Sequence, residues 1–154
     1  MMSIPDVLTS LEYGEKLRSL CVSFQTLTGK QLISTDRDIV QALWHSSRVI
    51  VAHGTEADPL FFFGNHRALE LWEMDWEQFW NMPSRLTAEP LERMERTRLL
   101  KAVAQKGYID DYSGIRVSRS GRRFKVRDAV VWNITNDQGI LLGQAATFES
   151  VEWI

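Results

Sequence analysis

One stretch constrains this chain more than any other: LFFFGNHRALELWEM, residues 60–74. Its apolar start stops at Gly64-Asn65, and an alanine- and leucine-rich helical pattern begins at once. That pattern predicts a short buried strand feeding a helix through a tight turn. Asn65 is a good cap for such a helix, because its side-chain oxygen accepts a first-turn N–H that lacks a partner within the helix. The downstream chain must then supply the rest of a small sheet around that helix, which sets the fold class as α+β.

The flanking segments read accordingly. Residues 47–54 have the β-branched centre Val49-Ile50-Val51 and predict a first strand, joined to residues 60–63 by a turn ending at Pro59. Residues 75–80 predict a second short helix carrying Trp76, Phe79 and Trp80, followed by a turn at Pro83. Residues 91–106 give the strongest helix signal, with Leu91, Met94, Leu99, Ala102 and Val103 as apolar positions and Gly107 as the stop. Strands over 108–118, 122–135 and 140–153, with turns at Ser120-Gly121 and 136–139, predict a three-stranded antiparallel meander.

Residues 1–46 read as a helical extension ahead of a domain over 47–154. Tyr13, Leu17, Leu20, Phe24 and Leu27 recur at steps of four and three, one apolar stripe, and Thr28-Gly29 ends it. Ser34-Thr35-Asp36, with Asp38 three residues after Thr35, offers a cap for a second helix bearing Ile39, Val40, Leu43 and Trp44. The stripe can fold back on the sheet or pair with a second subunit. It is the expected dimer surface.

Composition removes several function classes. The longest uncharged runs, 19–29 and 138–148, have 11 residues each, well short of the roughly 18 that span a bilayer. No secretion signal is evident, and the single cysteine, Cys21, allows no internal disulfide, so cytoplasmic residence is expected. Net charge is −2, but residues 47–89 carry seven acids and three bases while 90–135 carry five and eleven. The halves complement each other, which predicts pairing within the fold or between subunits.

The element order, with RSGRRFKVRDAVVWNITNDQGILLGQAATF closing the chain, resembles a PAS domain. The stretches GNHRALELWEMDWEQFWNMPSRLTAEP, DDYSGIRVSRSGRRFKVRDAVVWN and GQAATF are more similar still to the bacterial stand-alone form of the MEKHLA domain. That PAS-like domain also ends a class of plant homeodomain-leucine zipper transcription factors. The similarity covers roughly residues 49–148, although the naming hexapeptide does not occur here. The resemblance implies a PAS-like five-stranded antiparallel sheet, strand order 2-1-5-4-3, with helices on one face enclosing a small pocket. It also implies sensing or regulation: PAS-like domains bind a flavin, haem or small metabolite, or hold no ligand and mediate dimerisation. No catalytic role comes with it.

Within such a fold Phe63, Trp72, Phe79, Trp80, Met94, Trp132 and Phe148 are candidate pocket-lining residues, with Asn65, Asn133 and Gln144 as polar contacts. An aromatic cavity with few polar groups is what a small planar ligand needs. The alternative is a filled core in a ligand-free interaction or dimerisation module. A non-covalent flavin is compatible with this pattern; thiol-adduct photochemistry is not expected, since Cys21 lies on the N-terminal helix. Haem needs an axial ligand, and His66 follows the Asn65 cap in a helix's first turn, a poor position for one. His45, His53, His66 and Cys21 lack metal-site spacing. The cluster Arg116, Arg119, Arg122, Arg123, Lys125 and Arg127 is the best sign of an anionic partner. In the strand after the turn Arg123, Lys125 and Arg127 alternate with Phe124 and Val126, as a solvated strand face also does; without aromatics interleaved on the basic face, pairing with the acidic residues 47–89 is expected over nucleic acid. No nucleophile, phosphate-loop or metalloprotease motif is present, and Asp110-Asp111 would point to opposite faces of a strand, so an enzyme is not expected.

Overall fold

Side-chain caps start the helices where the sequence offers them. The computed structural model describes residues 2–34 and 38–154, and the side chains there except those at 90–92. Ser10 opens helix α1 (Leu11–Thr28) by accepting the Tyr13 N–H at 3.3 Å, and Gly29 closes it with φ 75°. Asp38 opens α2 (Ile39–Trp44) by accepting the Gln41 N–H at 3.1 Å; Thr35 and Asp36, also considered for that cap, lie outside the described residues. Asn65 opens α3 (His66–Trp72), and Asp75 with Gln78 forms a capping box on α4 (Trp76–Phe79). The longer α5 (Pro90–Lys106) ends at Gly107, φ 93°.

One antiparallel sheet joins the rest. Its strands are β1 (Val49–His53), β2 (Phe61–Gly64), β3 (Tyr108–Val117), β4 (Arg123–Thr135), β5 (Leu141–Phe148) and β6 (Val151–Trp153). The order β2-β1-β5-β4-β3 is the expected 2-1-5-4-3. The single strand expected over 140–153 divides, and its end, β6, pairs with the start of β4, setting Trp153 opposite Phe124.

Register assigns side chains to faces. Val51, Ala146 and Val131 align across β1, β5 and β4 on one face; Ala52, Ala145 and Trp132 align on the other. Within β4 the parity changes. Tyr112 pairs with Ala129 but Gly114 with Val126, so β4 holds one extra residue there, and Asp128 takes φ 53°. This is a β-bulge, with an aspartate in the left-handed conformation that Asp tolerates better than most residues. Phe124 and Val126 face the same way as Ala129 and Val131, and Trp132 is turned to the opposite face.

Helix α1 covers that opposite face. Trp132 Nε1 donates to the Leu20 carbonyl at 3.1 Å, and its ring meets Phe24 edge-on at 4.8 Å. Ser23 bridges to the Thr135 backbone, accepting its N–H at 3.0 Å and donating to its carbonyl at 3.2 Å. Helices therefore cover both faces. The stripe expected to be a dimer surface is used inside the chain: Tyr13, Leu17, Leu20 and Phe24 are buried, and Leu27 packs beside Gly107. Burying an apolar stripe against its own sheet avoids the association entropy that a second subunit would have to offset.

Candidate functional site

The face opposite α1 is closed by a broken run of short helices and by α5, and it is not filled. Ala129 and Ala146 end at Cβ in the middle of this face, leaving a cavity of about 70 Å³. That exceeds the roughly 10–15 Å³ one water needs and falls below the roughly 300–1,000 Å³ of a drug-sized pocket. Val51, Phe61, Trp72, Leu99, Leu100, Val126, Val131 and Phe148 supply most of the apolar wall. His53, Thr87, Arg96, Tyr112, Arg116 and Gln144 supply polar groups.

Each polar wall residue has a defined state. His53 Nδ1 lies 3.0 Å from the Gly54 carbonyl, which can only accept, so Nδ1 carries the ring proton. Burial, helped by the Arg96 charge, pulls its pKa from 6.5 down to about 4. Arg96, half-buried on α5, donates to Ser84 Oγ at 2.7 Å. Burial first, and the nearby Arg116 charge second, lower its pKa to about 10, so it stays a cation at neutral pH. Arg116 is buried on β3, donates to the Tyr112 hydroxyl and lies over that ring, 5.3 Å from its centroid. Gln144 donates to Asn133 Oδ1 at 2.9 Å, and Asn133 donates to the Val103 carbonyl at 3.2 Å, tying β5 and β4 to α5.

Of the expected site residues the structure brings Trp72, Gln144 and Phe148 to the cavity. The others go elsewhere, each for a physical reason. The bulge sends Trp132 to the α1 face. Asn65 is consumed by structure: its Oδ1 accepts from Ala68 N at 3.1 Å and Ile50 N at 3.2 Å, while Nδ2 donates to Leu43 O and Arg48 O at 3.0 and 2.8 Å. Phe79 stacks on Phe61 at 4.3 Å behind the wall, and Phe63 is fully buried in the core. Trp80 is 40% exposed, its indole N–H donating to the Tyr13 hydroxyl at 2.9 Å, and Met94 is 72% exposed on the outer side of α5.

The residues that sequence reasoning missed are the polar ones, above all Arg116. Sequence reasoning grouped Arg116 with the basic cluster around the β3–β4 turn and did not place it in the pocket. Instead Tyr112, Gly114, Arg116 and Ser118 form the buried alternation, and Arg116 pairs across to buried Phe124. The parity of Tyr112 with Arg116 was the available signal. Arg123, Lys125 and Arg127 do lie on the outward side of their strand, with Arg123 paired to Glu89 and Arg127 to Glu152.

A polar latch fixes one end of the cavity. Glu73 closes α3 in the left-handed conformation, φ 61°, and accepts the Ser118 hydroxyl at 2.6 Å and the Ser120 N–H at 3.1 Å. Those hydrogen bonds lower its pKa to about 2. The Trp72 carbonyl accepts the Arg119 N–H at 3.0 Å, so the wall tryptophan is bound through its backbone to the β3–β4 turn. Among the described residues no cluster of His, Cys, Asp and Glu is arranged to hold a metal ion, and no helix is long and apolar enough to cross a membrane.

This fold recurs in known proteins. The structure superposes on the PAS domain of a Colwellia psychrerythraea protein with a TM-score of 0.62 at 15% identity, covering 74% of this chain and 92% of that one. A light-oxygen-voltage domain studied with a flavin analogue gives 0.60 at 12% identity, covering 77% and 86%. The light-oxygen-voltage domain of the blue-light photoreceptor Aureochrome1 gives 0.56 at 15% identity, with the same coverage. These likenesses carry the fold. In sequence the chain is 24% identical over 125 residues to the Arabidopsis thaliana homeobox-leucine zipper protein ATHB-15, covering 79% of this chain. It is 26% identical over 137 residues to ATHB-9 of the same plant, covering 84%. The chain spans only 15–16% of the length of these relatives. The MEKHLA domain model matches residues 15–153, from within α1 to the end of β6, and this chain belongs to the MEKHLA domain family.

Proposed function

We propose that this chain is a sensory and regulatory domain that binds a small molecule in the cavity between α5 and the sheet and passes its occupancy to α1. One observation carries the reading: the cavity and α1 lie across a single sheet from each other. Val131 lines the cavity, and its neighbour Trp132 holds the Leu20 carbonyl of α1. An occupant that presses on Val131 or Ala146 therefore displaces a strand that α1 grips. Such a switch requires a ligand that prefers one arrangement of sheet and helix over the other. Residues 47–154 act as the sensor and residues 1–46 as the transmitting extension, in the cytoplasm and without catalysis. The homodimer of this proposal uses the outward side of α1, where Leu11 and Val22 remain exposed.

A compact ligand of a few heavy atoms suits the cavity as it stands, and an aromatic ring needs its wall to give. A non-covalent flavin, suggested by the flavin-analogue neighbour, enters only after Trp72 or Leu99 and Leu100 move outward, because its three-ring system exceeds about 70 Å³. Cys21 is across the sheet, and burial pushes its thiol up to about 12, so it supplies no adduct chemistry.

Native mass spectrometry and absorbance of protein purified from its own host test the proposal. A co-purifying small molecule released on unfolding is expected. Its consistent absence would favour a ligand-free docking module, the competing reading. Sedimentation at tens of micromolar tests the dimer, and a monomer removes that part.

A further inference from the structure

The cavity wall contains two arginines and, among the described residues, no carboxylate. Neither Arg96 nor Arg116 belongs to any ion pair among those residues. Each guanidinium has five N–H donors. Arg96 spends one on Ser84, and Arg116 makes two bonds, to Tyr112 and, at 3.4 Å, to the Ile115 carbonyl. Close by, the Trp72 indole N–H is buried with no partner in the protein. The Asp58 carboxylate acts on Arg96 from outside the cavity, but no carboxylate pairs with either guanidinium among the described residues, and two like charges in one apolar-walled space favour an anionic occupant.

We propose that the cavity recognises a small organic anion, a monocarboxylate with a compact apolar or aromatic body; an aromatic body, which like the flavin exceeds about 70 Å³, enters as Leu99 and Leu100 move outward. Its carboxylate lies between Arg96 and Arg116, and its body lies against Trp72, Val131 and Phe148. Arginine suits this role because its planar fork matches the two oxygens of a carboxylate. This rests on the sensor reading above and narrows it to one ligand chemistry.

Titration calorimetry with benzoate and its neutral isostere benzamide tests it on the full chain. Benzoate is expected to bind at least about tenfold more tightly, the effect of a charge-assisted pair at a partly desolvated site. Arg116→Gln and Arg96→Met should each remove that preference. Arg96→Lys, which keeps the charge but loses the fork, should weaken benzoate and spare benzamide. Equal binding of benzoate and benzamide overturns the anion proposal and leaves the pocket reading intact. Binding of neither compound in the millimolar range removes both.

Discussion

Trp132 and Trp72 are both buried, and they show how differently the two faces of the sheet are built. Trp132, on the α1 face, is fully buried, donates its N–H to Leu20, and packs against Phe24. Trp72, on the cavity face, meets Phe124 and Phe148 edge-on at 5.4 and 6.3 Å, but its N–H has no protein partner. The α1 face is closed by one continuous helix whose stripe matches the strand side chains. The cavity face is closed by a chain that turns at Glu73, Asn81 and Pro83 before α5 begins, and short elements cannot tile a sheet as evenly. One face is a core. The other has room for an occupant and groups able to bind it.

The comparison can be broken by mutation. The largest effect is expected for Trp132→Ala, which removes a fully buried ring and its hydrogen bond and should destabilise the fold by about 4 kcal/mol in urea unfolding. A much smaller loss would mean that α1 is not a core element. Next comes acid. His53, on the cavity face, has a folded pKa of about 4 against 6.5 unfolded. Between those values the unfolded chain takes up a proton that the folded chain refuses, so stability is lost as pH falls below 6.5. The loss should approach about 3 kcal/mol near pH 4. His53→Gln should flatten the pH profile over that window; an unchanged slope would place the titration elsewhere.

The sharpest test is a pair of Trp→Phe changes. Trp132→Phe gives up a satisfied N–H, so it should cost about 1 kcal/mol more than Trp72→Phe, whose N–H has no partner to lose. Equal costs would erase the distinction between the faces. The smallest effect is expected for Met94→Gln, within about 0.5 kcal/mol in thermal unfolding and without change in benzoate binding, because Met94 faces solvent.

Much of the fold was legible because it is written in local chemistry. Asn65 and Asp38 are caps by residue type; Gly29 and Gly107 end helices because they adopt positive φ; the residues 60–74 corner, the stripe of α1 and the three strands of the meander follow their periods. The aromatic part of the site was half legible. Trp72 and Phe148, like the polar Gln144, have the parity of their elements, while Trp80 lies half-exposed against Tyr13 and Met94 faces solvent.

By itself the sequence determined which segments are helix or strand and where they are capped; the order in which the strands pair came only through the resemblance to a known family, and β6 escaped it. Only the tertiary structure decided which face each side chain serves. One extra residue at Asp128 reverses the parity of β4 and moves Trp132 from the cavity to the helix. Pairing across to Phe124 places Arg116, read only as one of a basic cluster, on the buried face of β3. Periodicity has two equivalent phases in a strand, and long-range contacts choose between them.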